Sequence, residues 1–85
     1  MTPTGRLRGV GPTTARMLRE VEIESVEALR EIGAVQAYLR LRFRFERLSL
    51  NALYALHAGL LDRDWRRLTD AERAALRRAI DDAST

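Results

Sequence analysis

Residues 7–18 read LRGVGPTTARML, which fits the pattern apolar, any, Gly, apolar, Gly, three of any, Ala. Gly9 and Gly11 permit a tight chain reversal with positive φ and a close approach of backbone segments. Val10 is placed to fill the space between the two flanking segments, and the small side chain of Ala15 lets those segments pack closely. The pattern predicts two short helices joined by a glycine hairpin.

Capping residues and apolar periodicity indicate six helical segments in the chain. They are predicted from Thr4 to Arg8, from Pro12 to about Glu20, from Ser25 to about Glu31, from Ala34 to about Phe45, over LNALYALHAGLL after Ser49, and from Thr69 to about Asp82. Pro12 suits a first helical position because its φ is fixed and its missing N–H is not needed there. Ser25 is a typical N-cap. Thr69 and Glu72 have the spacing of a capping box.

Residues 34–45 admit two interpretations. Leu39, Leu41 and Phe43 alternate with arginines, as in a half-buried strand, whereas Tyr38 and Leu41 also recur at helical spacing. A single strand would leave its backbone N–H and C=O groups without partners. Helix is therefore favoured, and the predicted fold class is all-α, a domain of five or six helices.

Composition limits the function. The 85 residues suffice for one domain with one core. No cysteine is present, and His57 is the single histidine, so disulfides, thiolate metal sites and multi-histidine centres are excluded. The sequence also lacks a nucleophile–base pair, a phosphate loop and metal-ligand spacing. We therefore predict a non-enzymatic protein, with no catalytic residue, no metal, no cofactor and no small-molecule substrate.

The chain shows no membrane signal. Its longest uncharged stretch, residues 48–61, is too short to span a bilayer. The N-terminal MTPTGRLRG lacks the apolar segment of a signal peptide. We expect a cytoplasmic location without membrane association.

The glycine hairpin resembles the helix-hairpin-helix motif, whose members generally bind DNA through the sugar-phosphate backbone without reading bases. Backbone N–H groups at the positive end of the second helix form a ready site for a phosphate oxygen. The candidate ligands are the amides of Gly9, Val10 and Gly11, the hydroxyls of Thr13 and Thr14, and the guanidinium of Arg16. This interpretation predicts non-specific binding of double-stranded DNA. The alternative is that the glycines only make a compact turn.

Net charge supports an anionic partner only weakly. The formal charge is +3 and the pI is near 10.5, but 12 acidic residues are spread among the 15 basic ones, all arginine. A partial repeat at residues 29–40, LREIGAVQAYLR, places Glu31 where the first copy has its first glycine. A carboxylate there would repel phosphate, so this degenerate second hairpin is predicted to be structural only.

The chain resembles the C-terminal domain of the TfoX/Sxy family of competence regulators over roughly Leu7 to Ile80. The pieces that carry the likeness are LRGVGPTTARML, VEIESVEALREIGAVQAYLRL, LSLNALYAL and DRDWRRL. Family members usually have Gly at the position of Glu22 and an acid at that of His57. The resemblance implies one free-standing helical domain over residues 1–85, in a family whose full-length members have a further N-terminal domain and co-regulate transcription of DNA-uptake genes.

A second functional hypothesis is a protein-interaction or homo-oligomerisation module in which the hairpin is purely structural. Its sign would be an exposed apolar patch around Phe43, Phe45 and Trp65. A lone tryptophan in a small helical domain is more often a core residue. His57 is expected at the edge of the core. An arginine stripe at residues 40–47 is usually a solvated face.

Overall fold

Five α-helices and two 3₁₀ turns make up the structure, a computed structural model that describes residues 1–83. The helices are α1 Pro12–Glu20, α2 Val26–Ile32, α3 Ala34–Arg44, α4 Leu50–Leu60 and α5 Asp70–Ala83, and the 3₁₀ turns are Thr4–Arg6 and Trp65–Arg67. No strand occurs within residues 1–83. The all-α prediction is confirmed, including the choice of helix for residues 34–45.

Helix starts follow the capping residues of the sequence. Pro12 is the first residue of α1. Ser25 caps α2, and its Oγ accepts the N–H of Ala28 at 3.0 Å. At the start of α5 the N–H of Glu72 donates to Thr69 Oγ1 at 3.1 Å, and the N–H of Thr69 donates to Glu72 Oε1 at 3.0 Å. The predicted capping box is therefore formed in both directions.

Helices α1 and α4 end in the same way, through a residue in the left-handed conformation. After α1, Glu22 has a φ of 66°; its N–H donates to the carbonyl of Arg19, and the next N–H, that of Ile23, donates to Leu18. After α4, Asp62 has a φ of 55° and the same bonding pattern. These two hydrogen bonds, from the residues just after the helix to carbonyls of its last turn, form the Schellman motif, which satisfies the last carbonyls of a helix.

The predicted first helix, from Thr4 to Arg8, is wrong in extent. Only the 3₁₀ turn Thr4–Arg6 forms, and Leu7 is already extended, with φ −73° and ψ 136°. Too few residues precede the hairpin to offset the cost of nucleating an α-helix. The first arm of the hairpin is therefore a single turn that packs against α1.

A single residue, Gly33, connects α2 to α3. Its φ of 87° and ψ of 156° lie in a region essentially restricted to glycine. Its N–H donates to the carbonyl of Leu29 at 2.7 Å, and its carbonyl accepts the N–H of Ala37 at 3.0 Å. In the first hairpin positive φ falls on Gly9 instead, at 83°. The two related segments thus turn the chain with different glycines.

The core consists of two hydrophobic clusters that meet at Leu48. The first joins the hairpin, α1, α2 and α3, and its buried members are Val10, Ala15, Leu18, Ile23, Leu29, Ala34, Ala37, Leu41 and Leu56. The second joins α3, α4 and α5, and its buried members are Tyr38, Leu53, Tyr54, Ala58, Leu68, Leu76 and Ile80. Helices α3 and α4 contribute to both clusters, so they form the centre on which the hairpin is mounted.

Candidate nucleic-acid interface

The glycine hairpin closes by a hydrogen bond from the N–H of Val10 to the carbonyl of Leu7, at 3.1 Å. The Val10 side chain is buried in the first cluster, at 6% exposure, as predicted for the residue between the flanking segments. Its amide, however, is used within the hairpin. Of the three amides predicted to bind phosphate, those of Gly9 and Gly11 remain open, and both glycines are exposed.

Between residues 9 and 14, four backbone N–H groups have no acceptor within residues 1–83. They belong to Gly9, Gly11, Thr13 and Thr14. Gly11 is the N-cap of α1 and has no side chain that could accept a bond from the first turn. The only bond from that turn back to the cap is the one from Ala15 N–H to the Gly11 carbonyl, at 3.0 Å. The positive end of α1 is therefore uncapped.

Helix α4 fixes the hairpin through Gly59, a contact that the sequence pattern did not reveal. A Cβ at Gly59 would lie 2.6 Å from the carbonyl oxygen of Arg8 and 3.0 Å from Leu7 Cγ. The hairpin backbone thus rests directly on α4. Gly9 faces the same support, since a Cβ there would lie 3.8 Å from both Ala55 and Trp65. A glycine inside a helix was the only available signal for this contact.

The predicted side-chain ligands lie around the open amides. Thr13 and Arg16 are exposed, whereas Thr14 is partly buried. Arg16 forms no ion pair within residues 1–83, and neither does Arg19, one helical turn further along α1. Arg16 is therefore a solvated cation near the uncapped amides, whereas Arg19 lies in the last turn of α1.

Carboxylates do not neutralise these cations. Glu20 pairs with Arg44, at 4.0 Å, and the described residues show no ion pair from Glu22 or Glu24 to the arginines of the hairpin. Glu20 and Glu22 lie at the opposite end of α1 from Gly11. The hairpin end of α1 is basic as a result.

A cleft beside the hairpin adds further charge. It is lined by Arg8, Asp62, Arg63, Asp64 and Arg67. Arg8 Nη1 donates to the Asp62 carbonyl at 3.3 Å, which holds its guanidinium at the hairpin. Arg66 bonds to Asp64 through side chain and backbone and lowers the pKa of that carboxyl to about 2.

One cation of this cleft, Arg63, is already paired, and so is the neighbouring Arg66. Arg63 pairs with Glu72 at 2.6 Å and Arg66 with Asp64 at 3.0 Å. Arg8 and Arg67 have no ion pair within residues 1–83. These two are the cations that the cleft can offer to a phosphate.

The remaining sequence candidates lie elsewhere. Trp65 is partly buried and packs against the second cluster, and His57 is partly buried. Phe43 is 95% exposed, whereas Phe45 packs against the first cluster. The described part of the chain contains no group of three or more side chains able to hold a metal ion. None of its helices has the length and apolar character needed to cross a membrane.

Comparisons with known proteins identify the fold. The family model of the TfoX C-terminal domain matches residues 5–80. The crystal structure of an uncharacterised protein from Listeria monocytogenes, in a triclinic form, superposes on this chain with a TM-score of 0.84 and 21% sequence identity. The superposition covers 94% of this chain and 91% of that chain, which shows a shared fold. No curated protein matches the sequence significantly. The chain belongs to the TfoX C-terminal domain family.

Proposed function

We propose that this domain is a non-enzymatic accessory module that binds duplex DNA through its phosphates, without reading bases. Membership in the TfoX C-terminal domain family points to a regulatory or DNA-related domain. The finer assignment rests on one observation, the set of open amides of Gly9, Gly11, Thr13 and Thr14 at the uncapped start of α1. Such amides, aligned with the helix dipole, favour a phosphate oxygen.

The surrounding groups suit a phosphate backbone better than a small anion. Arg16 flanks the amides on α1, Arg19 follows in the last turn of that helix, and Arg8 and Arg67 line the cleft beside the hairpin. All four are free of ion pairs within residues 1–83. Cations on both sides of one amide cradle match a chain of phosphates that runs past the hairpin.

Because so few cations are involved, binding is expected to be weak and sensitive to salt. Non-specific complexes have dissociation constants of about 10⁻⁴ to 10⁻⁶ M at physiological salt. Each phosphate contact that is lost should lower the slope of log K against log salt by about 0.9. Affinity should depend little on base sequence, since the proposed contacts go to the phosphate backbone, which carries no sequence information directly.

Fluorescence anisotropy with a labelled duplex at two salt concentrations tests this proposal. Arg16→Glu and Thr14→Asp should each abolish measurable binding. Thr14→Asp is informative because a carboxylate in the first helical turn stabilises the helix while repelling phosphate. Arg42→Glu is the control matched to Arg16→Glu, since Arg42 lines a different cleft with Arg77 and Ile80 and the substitution makes the same change of charge.

The expected result is loss of binding in the two hairpin variants and near wild-type affinity in the control. Circular dichroism would verify that each variant keeps its helical content. No binding by the wild type at low salt would contradict the proposal. Equal losses in all three variants would show an unspecific charge effect and would contradict the assigned site.

A further inference from the structure

Helix α3 has one buried apolar face and beside it a partly covered face, on which Leu39 packs partly against the second cluster while Phe43 is exposed. Its buried face consists of Ala34, Ala37, Tyr38 and Leu41. The side chains of Gln36, Leu39, Arg40 and Phe43 follow the same helical spacing on a neighbouring face, where Phe43 is 95% exposed. An aromatic ring so fully exposed contributes nothing to the core. The second face is therefore open to a partner.

This face forms one wall of a groove between α1 and α3, which we name the α1–α3 groove. Val21, at the end of α1, closes it opposite Leu39 and Phe43. An adjoining cleft continues it along Met17, Phe45 and Leu48. Arg44 lines both clefts and marks their boundary. The two clefts together expose mainly apolar surface, which suits the apolar face of an amphipathic helix.

The rim of the groove is mainly basic. Arg40 and Arg44 flank the cleft beside Phe43, whose lining contains no carboxylate, and Arg47 borders the adjoining one. Glu20 lies 4.0 Å from Arg44, but both side chains are about half exposed, so this pair neutralises little. Glu46 is the one carboxylate in the adjoining cleft. The groove therefore complements a ligand with an excess of acidic groups.

We infer that the α1–α3 groove docks an acidic amphipathic helix of a protein partner. Apolar side chains of that helix, spaced by one turn, would enter the cleft beside Phe43 and Leu39. Its carboxylates would face Arg40 and Arg44. An exposed aromatic residue next to arginines is the composition of an interface hot spot.

A second copy of this chain fits the groove less well. In a two-fold symmetric contact the same patch meets itself, which would oppose the arginines of the two rims. Nucleic acid also fits less well, because single strands stack on several aromatic rings, whereas Phe43 is the one exposed ring along this groove and Phe45 packs against the first cluster.

The groove is separate from the hairpin. The open amides lie at the start of α1 and Val21 directly after its end, about 12 Å apart at 1.5 Å per residue. A helix in the groove would leave the hairpin accessible. The inference therefore does not depend on whether the hairpin binds DNA.

A displayed library of helical peptides, selected against the wild-type domain, tests the inference. The enriched peptides are expected to carry apolar residues one turn apart and an excess of Asp and Glu. Phe43→Ala should weaken their binding by on the order of tenfold or more, and Arg40→Glu should weaken it as well. Leu61→Ala is the matched control, since Leu61 is also exposed, at 52%, but lies after α4. It should leave binding unchanged.

Several outcomes would overturn the inference. They are the absence of any enriched peptide, enrichment without acidic excess, binding that survives Phe43→Ala, and NMR shift changes in a labelled domain that miss Val21 and Leu39. A dimer in light scattering that Phe43→Ala dissolves would assign the groove to a second copy instead. A loss of duplex binding in Phe43→Ala equal to that in Arg16→Glu would assign it to nucleic acid. Because Phe43 is almost wholly exposed, its replacement should not impair folding.

Discussion

Glu22 adopts a conformation that glycine would adopt without strain. Its φ of 66° lies in the left-handed region, which costs a side-chain-bearing residue roughly 1–2 kcal/mol. The bonds made by its N–H and by that of Ile23 end α1 and need only the backbone. Family members usually have glycine at this position, so Glu22 is a local source of instability.

Glu22→Gly should therefore stabilise the domain. The relief of left-handed strain outweighs the greater freedom of glycine in the unfolded chain, for a net gain of about 0.5–1 kcal/mol. Urea unfolding followed by circular dichroism would measure it. Glu24→Gly, with the same charge change on a residue of negative φ, is the control and should not stabilise. A Glu22→Gly protein no more stable than wild type would show that the turn is not strained.

Gly59 is important for the opposite reason, since it leaves no room for a side chain. A Cβ would lie 2.6 Å from the Arg8 carbonyl oxygen, a backbone atom that cannot rotate away. Overpacking of this kind costs about 1–3 kcal/mol, partly offset by the roughly 1 kcal/mol by which alanine favours a helix interior.

Gly59→Ala should accordingly lower the free energy of unfolding, by up to about 2 kcal/mol, and move the hairpin. Chemical denaturation gives the first effect, and the NMR signal of the Trp65 indole, which lies near Gly9, reports the second. Gly11→Ala is the comparison, because a Cβ there meets nothing within 4 Å. If the two variants were equally stable, the close approach of hairpin and α4 would be refuted.

Among the elements, the start of α5 concentrates the most polar contacts. Glu72 accepts the N–H of Thr69 and two guanidinium bonds from Arg63, at 2.6 Å and 3.1 Å. Arg63 is the main cause that lowers the pKa of Glu72 from its ordinary 4.5 to about 2. One carboxylate thus joins the helix cap to the loop that follows α4.

This link should make stability depend on pH under acidic conditions. Because the carboxyl has the lower pKa in the folded state, the unfolded chain binds more protons, and stability falls as pH drops from about 4.5 towards 2. Glu72→Gln removes that contribution, so wild type and variant should differ most near neutral pH and converge at low pH. Urea midpoints across this range measure the difference.

Arg63→Gln provides the matching control for the pH prediction. It removes the same ion pair by replacing the cation, so the stability of this variant should approach that of wild type as the pH drops from about 4.5 towards 2. The double variant should be little worse than either single variant if the pair acts as a unit. A constant difference between wild type and Glu72→Gln at every pH would contradict the assignment.

Helix boundaries could be predicted wherever a side chain determines the hydrogen bonding or the φ angle of the backbone close to it. Pro12, Ser25 and the Thr69–Glu72 box mark helix starts by local bonds that any neighbourhood would allow. The predicted first helix was too long, because the sequence does not show whether so short a segment can offset the free-energy cost of nucleating a helix. Ser49 holds the N-cap position of α4, but its side chain accepts no capping bond.

At the scale of the whole molecule, the sequence identified the hairpin residues but not what supports them. The seat of the hairpin on Gly59 joins residues some fifty positions apart, and periodicity carries no information on such contacts. The use of the Val10 amide within the hairpin is likewise a matter of conformation rather than of residue type. The position of Phe43 among arginines suggested that its ring is exposed. The groove beside it could not be predicted, because it is formed by the packing of α1 on α3.

The assembled domain separates two kinds of surface along α1. Uncapped amides lie at its start, followed one turn on by the unpaired Arg16, and an apolar groove with a basic rim lies at its other end. Since α3 and α4 contribute to both clusters of the core, neither surface can shift without disturbing the other's support. A rigid body with two different surfaces is suited to bringing two partners together.

The joint at Gly33 restricts how this domain can vary in evolution. With no spare residue between α2 and α3, inserting or deleting one residue there would rotate α3 by about 100° about its axis. Tyr38 and Leu41 would leave the interior, and Phe43 would no longer border the groove. Length changes among relatives should therefore be confined to other connections, such as the one between α3 and α4.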